Sequence, residues 1–288
     1  IFGFFFLIFL SIYLGMHYYV YSRIASGLLL SSKARNYLRL FFLLAALSFV
    51  LGKFLSNHTD CFWVKSASFL GVVWFGIISI AFAVFLASDI FRIFFHSETF
   101  KYYSVVFSIA AVFLLTAFSI YNASRVPVIK DIEIKLKKLP EKFSGFTIVQ
   151  LSDMHLASFN GHYRLLQKLM EDVNSYKPDI IINTGDFISF GWREFDRCDT
   201  ILEKAKSMFG NFAVFGNHDM GTYFPNSSKA DREAIILKMD DLITSSGYLI
   251  LNDDYIIRDI KGVKVAFIGV KTSGRHPGMI HGDLKKAM

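Results

Sequence analysis

The stretch Phe146-Thr147-Ile148-Val149-Gln150-Leu151-Ser152-Asp153-Met154-His155 runs from an apolar strand directly into an acid and an imidazole. The pattern returns twice. Asp179 to Asn183 leads to Gly185-Asp186, and Phe212 to Phe215 leads to Gly216-Asn217-His218-Asp219. Each apolar run reads as a buried strand, so each polar phrase falls at a strand's carboxyl end, where open α/β sheets build their sites. From Asp153 to Asp186 is 33 residues and from Asp186 to Asn217 is 31, close to one strand-helix-strand unit apiece. Three loops rich in acid and histidine would therefore line one rim of an α/β fold.

Between and beyond these phrases the periodicity names the other elements. Leu165, Leu166, Leu169, Met170 and Val173 recur at helical spacing up to Tyr176, and Pro178 stops that helix. A second helix is expected from about Glu194 to Met208, and a third from Asp231 to Ser246. Leu249 to Leu251, Tyr255 to Ile260 and Val263 to Val270 read as strands, the last two joined by a Lys261-Gly262 turn. Upstream, Arg125-Val126-Pro127 ends a helix, and the alternation from Val128 to Leu136 reads as an edge strand. Residues 126–145 thus form a linker with a first strand, and residues 146–288 the α/β domain.

The first half is of another kind. The chain has 288 residues, 53% of them hydrophobic, and no Asp, Glu, Lys or Arg occurs from Ile1 to Ser22, Ser66 to Ser88 or Tyr102 to Ser124. Each run meets the length of about 20 residues that crosses a bilayer. A fourth, Leu40 to Asn57, is broken only by Lys53 near its end. Residues 1–125 are therefore expected to be a transmembrane anchor of about four helices, at 1–22, 38–57, 66–90 and 102–124. A secretory signal fits Ile1 to Ser22 less well, since a basic leader and a small-residue cleavage site are missing.

Charge divides along the same line. Residues 1–125 hold 9 Lys and Arg against 3 Asp and Glu, leaving 22 against 21 beyond, so the net +7 resides mostly in the membrane half. That excludes a nucleic-acid footprint on the α/β domain. Arg23, Lys33, Arg35 and Arg39 follow the first span and place that loop in the cytoplasm by the positive-inside rule, which puts everything after Arg125 on the extracytoplasmic face. His17, beside Tyr18 and Tyr19, reads as an interfacial aromatic-belt residue, and Asp89 and Arg92 lie one helical turn apart. No charged residue lies deep in a span as a transporter would require. With only Cys61 and Cys198, a disulfide framework is not expected.

The rim residues suit one chemistry. Asp153 and His155 can offer an oxygen and a nitrogen to one cation, Asp186 can bridge two cations, and Asn217 can offer a carbonyl oxygen to the second. Mixed oxygen and nitrogen donors suit Mn²⁺, Fe or Zn²⁺. Two such ions acidify a bridging water and clamp a phosphate for in-line attack. His218, beside Asn217, is placed to donate a proton to the leaving oxygen or to stabilise charge in the transition state. A single Asp at a strand end is more often a helix cap or turn former, but three phrases together point to a metal site.

In order and spacing the three phrases resemble the calcineurin-like metallophosphoesterase superfamily, and the spans ahead of them resemble its membrane-anchored bacterial branch. The resemblance implies an α/β/β/α sandwich with a dinuclear metal centre. It implies that Asp153 and His155 ligate the first metal, Asp186 bridges, Asn217 ligates the second, His218 is the catalytic general acid or transition-state stabiliser, and Asp219 supports ligands without being one. It also implies a phosphate mono- or diester as substrate, with lipid or nucleotide-lipid head groups among those that some membrane-attached relatives use, hydrolysed by a metal-bridging hydroxide at a bacterial plasma membrane. The family pattern continues into a further histidine and a Gly-His-x-His block, which this sequence lacks; His276 and His281 have other neighbours and read as loop residues. The expectation is a domain truncated at its C-terminal end. Its alternative is an inactive membrane protein whose α/β part is an interaction module. His162, Arg164, Trp192 and Arg193 are weighed as substrate contacts and read instead as ordinary surface or loop residues, and His96 has no evident metal partner.

Overall fold

The computed structural model describes residues 2–56, 61–95, 97–159, 163–189, 191–221, 229–272 and 282–288. The chain forms two compact units, Ile1–Ser124 and Arg125–Met288. His96, His162, His276 and His281 lie outside the described residues.

The first unit contains four helices, α1 (Phe2–Gly27), α2 (Ser32–Ser56), α3 (Phe62–Arg92) and α4 (Glu98–Ala123), all long and apolar enough to cross a membrane. They extend beyond the uncharged runs: Arg35 and Arg92 sit in terminal turns and Arg23 and Arg39 about one turn further in, from where long cationic side chains reach polar surroundings. Tyr13, Phe42, Ala46, Ile78, Phe85 and Val105 pack between the helices, while large side chains such as Phe107, Phe113 and Phe118 point outward. That is the inverse of a water-soluble bundle, and it suits a lipid surround.

His17 corrects an expectation. It is buried rather than interfacial: its Nδ1 lies 2.8 Å from the Tyr13 carbonyl, and its Nε2 accepts the Trp74 indole N–H at 2.8 Å. A polar ring is tolerated there because both nitrogens are satisfied across α1 and α3. Asp89 does meet Arg92, at 3.1 Å, and also receives Arg23 at 2.7 Å and the Tyr19 hydroxyl at 2.5 Å.

The second unit is layered. Strands β1 (Ile148–Leu151), β2 (Ile180–Asn183), β3 (Asn211–Ala213) and β4 (Leu249–Ile250) make one parallel sheet in that order. Helices α5 (Tyr163–Ser175), α6 (Cys198–Leu202) and α7 (Lys229–Ser245) connect them in turn. Strand alternation assigns the faces. Ile181 and Ala213 join the helix-side core with Leu166, Met170, Leu202 and Met239, whereas Ile180, Ile182 and Phe212 turn to the other side. There an antiparallel hairpin, β5 (Asp254–Ile260) with β6 (Val263–Gly269), covers the sheet, and the Phe212 and Phe267 rings stack 4.4 Å apart. Lys261 and Gly262, both at positive φ, close the hairpin in two residues as expected. The short helix α8 (Leu284–Ala287) follows.

Two expected elements differ. Val128 to Leu136 takes no regular secondary structure and pairs with no strand among the described residues, and Val128, Ile132 and Ile134 stay 83%, 78% and 75% exposed. Alternation without a neighbouring ladder leaves a strand-like segment unpaired. The helix expected from Glu194 to Met208 shrinks to α6, preceded by one 3₁₀ turn at Trp192–Glu194. Asp196 at φ +40° interrupts it upstream, and Asn174 of α5 captures it downstream, donating to the Lys204 carbonyl and accepting from the Lys206 N–H, each at 2.8 Å.

Candidate metal centre

Register brings the three phrases together. Leu151 pairs with Asn183 and Asn183 with Ala213, so β1, β2 and β3 end level and their loops leave the same rim. The loops then run side by side: Asp153 N–H donates to Gly185 O (3.0 Å), His155 N–H to Asp186 O (3.1 Å) and Leu156 N–H to Phe187 O (2.8 Å). This second ladder holds Asp153, His155 and Asp186 at φ of +52°, +42° and +58°. Each non-glycine residue there costs about 1–3 kcal/mol, a strain typical of ligand sites. Gly185 needs its φ of +98°, and a Cβ on Gly216 would fall on the Asp186 carboxylate.

Asp186 occupies the centre. One oxygen accepts the His218 backbone N–H at 3.0 Å. His155, Asp186 and His218 each bring a ligand atom within 4.8 Å of the others, and the two imidazole rings meet edge-on at 5.0 Å. Asp153, Asp186 and Asn217 line one cavity of about 260 Å³ together with Ser152, Thr184 and Lys271. Asp153 lies outside the three-residue cluster, and its carboxylate accepts the Ser152 hydroxyl. The Asp186 carboxylate and the His155 imidazole, with the oxygen donors of Asp153 and Asn217 on the adjoining cavity, fit a divalent cation of the Mn, Fe or Zn type, and His218 stands beside them.

Beneath the rim lies Asp219, fully buried. Its carboxylate accepts three backbone N–H groups, from Asp186 (2.8 Å), Gly216 (2.9 Å) and Ile188 (3.2 Å), and so fastens the loop after β2 to the loop after β3. Burial pushes its pKa up to about 7; the three donors oppose that rise, and nearby Asp186 adds to it. Across the cavity, Lys271 pairs with Asp253 at 3.1 Å. Burial works against ionisation of Asp253, yet the Asp283 N–H and Lys271 hold its carboxyl below the usual range.

Of the residues weighed as substrate contacts, Arg164 is exposed on α5, and Arg193 lies over the Trp192 ring at 4.5 Å while Trp192 packs on the helix-side core. Asn183, Ser189, Glu194 and Asn252 were not singled out in the sequence, yet they build the loops. Asn183 accepts the Gly185 N–H at 3.0 Å and Asn252 the Phe215 N–H at 2.9 Å. None of the four carries a motif in the sequence, since Gly191 lacks the side chain that a capping box with Glu194 would need.

Residues 146–279 match the calcineurin-like phosphoesterase family. A transmembrane protein with metallophosphoesterase domain from Danio rerio is 32% identical over 109 residues, 38% of this chain and 25% of that protein. The metallophosphoesterase YkuE of Bacillus subtilis is 31% identical over 126 residues, 42% of this chain and 39% of its own. The UDP-2,3-diacylglucosamine pyrophosphatase LpxG of Chlamydia trachomatis is 38% identical over 89 residues, 30% of this chain and 27% of its own. The chain thus spans 25% to 39% of the length of these three relatives, which come from an animal and two bacteria. No solved structure matches it.

Proposed function

We propose that this chain, whose residues 146–279 form a calcineurin-like phosphoesterase domain, is a membrane-anchored, metal-dependent hydrolase of phosphate mono- or diesters. The observation that carries the reading is the convergence of His155, Asp186 and His218 within 4.8 Å beside the cavity that Asp153 and Asn217 line. In this reading Asp153, His155, Asp186 and Asn217 would hold the divalent ions, with Asp186 shared between the two positions. Such ions, of the Mn, Fe or Zn type, lower the pKa of water and neutralise charge on a phosphoryl group.

The protein's own residues supply the rest. His218 Nδ1 lies 2.7 Å from the Ser189 carbonyl, which can only accept, so Nδ1 carries hydrogen and proton exchange with the leaving oxygen falls to Nε2. Asp219 fixes the backbone that presents Asp186 and His218, so the donors need little reorganisation. The four spans and the likeness to LpxG, a UDP-2,3-diacylglucosamine pyrophosphatase by name, support a lipid-linked substrate. A tether confines the domain to head groups at high local concentration. The charge of the first loop supports an extracytoplasmic domain, and we place the protein in a bacterial plasma membrane.

The test is hydrolysis of an aryl phosphodiester and of a nucleotide-lipid pyrophosphate by the purified protein, with and without Mn²⁺. Mn²⁺-dependent turnover that His218→Ala lowers by about 10²–10⁴, the usual worth of a general acid, is expected. Undiminished turnover in His218→Ala would remove its assigned role, and no turnover of either ester would favour the interaction-module alternative.

A further inference from the structure

The loop after Asp186 does more than carry that carboxylate. Ser189 touches both site histidines: its carbonyl receives His218 Nδ1 at 2.7 Å, and its hydroxyl lies 3.1 Å from His155 Nδ1. The Ile188 carbonyl adds a second contact to His155 Nδ1, at 3.2 Å. Carbonyl oxygens only accept, so both rings hold hydrogen on Nδ1, and each presents Nε2 as its basic nitrogen.

Ser189 is itself held from behind. The Glu194 carboxylate accepts the Ser189 N–H at 2.6 Å and the Gly191 N–H at 3.3 Å, while the Glu194 N–H donates to the Gly191 carbonyl at 3.0 Å. From the other side, Asp219 holds the Ile188 N–H. Residues 188 and 189 are therefore pinned between two carboxylates, one in the helix-side interior and one in the 3₁₀ turn at Trp192–Glu194.

We infer that Ser189, braced by Glu194, is the positioning residue that orients His155 and His218 together, its carbonyl setting the His218 tautomer while the adjoining Ile188 carbonyl sets that of His155. The inference rests on the metal-centre reading for its purpose, but the device stands on contacts among Ile188, Ser189, Glu194 and the two histidines. One residue serving two rings couples them: a shift of Ser189 away from Glu194 turns both Nε2 atoms at once. It also separates two kinds of substitution. Loss of the Ser189 hydroxyl reaches only His155, because the carbonyl that serves His218 belongs to the backbone, whereas loss of the Glu194 carboxylate reaches both. Groups that orient a ligating imidazole typically change metal affinity by about 10–100-fold when removed.

The experiment is nitrogen-15 NMR of the imidazole rings in the full, metal-free protein, followed by Mn²⁺ titration. The expected result is the Nδ1–H tautomer for His155 and His218. Ser189→Ala should disturb His155 alone and weaken Mn²⁺ binding by about 10-fold or more. Ser189→Thr, which keeps the hydroxyl, should restore it, and Glu194→Ala should disturb both rings with the fold retained by circular dichroism. An Nε2–H tautomer in the parent protein, or unchanged rings in Glu194→Ala, would overturn the inference. Failure of the parent protein to bind Mn²⁺ would instead count against the proposed function, since the tautomers are read without metal. Should Glu194→Ala fail to fold, the contrast between Ser189→Ala and Ser189→Thr still decides.

Discussion

Single residues near the rim carry opposed electrostatic duties. Asp219 is a buried carboxylate raised by burial and kept useful by three backbone donors, whereas Asp253 is held low by Lys271 and the Asp283 N–H despite its own burial. For Asp253 the sign is definite. Its folded pKa lies below the ordinary value of about 3.9, so its contribution to stability is full above that value and is lost as pH falls through the lower folded one. An acid titration of the protein by circular dichroism should therefore show a steeper loss of structure below about pH 4 than the same titration of Asp253→Asn. Identical acid limbs would mean that the Lys271 pair adds nothing. The phrases in the sequence named Asp153, His155, Asp186, Asn217 and His218, because acids and imidazoles after strands are visible in one dimension. Ser189 and Glu194 were not visible, since a serine carbonyl and a glutamate in a turn acquire their meaning only when the loop folds back on two rings.

At the scale of elements, the site is a product of three parallel strands ending level and of loops tied to each other. The strands were legible because each is a short apolar run before a polar phrase, and α5 because Leu166, Leu169, Met170 and Val173 fall on one face. The helix after Glu194 was overestimated because Asn174, 30 residues from Lys204, competes for the backbone there. Val128 to Leu136 was read as a strand because alternation is local, whereas a ladder needs a neighbour. Asp219 is the principal cross-tie, and Asp219→Asn leaves one oxygen and an amide facing three N–H donors. Each donor left without an acceptor costs about 1–3 kcal/mol. Chemical unfolding of the α/β unit should shift by roughly that amount, with Mn²⁺ affinity falling alongside. Unchanged affinity would show that the clasp is not needed to shape the site.

For the whole molecule, the composition of the two halves dictates two solvents: a set of helices with outward phenylalanines, and an α/β unit of nearly balanced charge. The two cysteines report on how the chain crosses the membrane. Cys61 is exposed ahead of α3, whereas Cys198 is buried and its thiol is pushed up to about 12, chiefly by burial, so only Cys61 should react with a maleimide. With the first loop in the cytoplasm, Cys61 faces outward, and a membrane-impermeant maleimide should label intact cells. Labelling only after permeabilisation would invert the orientation and place the α/β unit inside. The central claim is that the converged rim is a metal centre. Its most direct test is Mn²⁺ binding by the purified, chelator-stripped protein, followed by electron paramagnetic resonance, with Asp186→Ala beside it. A metal centre at the rim gives saturable binding that Asp186→Ala abolishes or weakens by more than tenfold; equal affinity in both proteins would show that the rim is not where the metal binds.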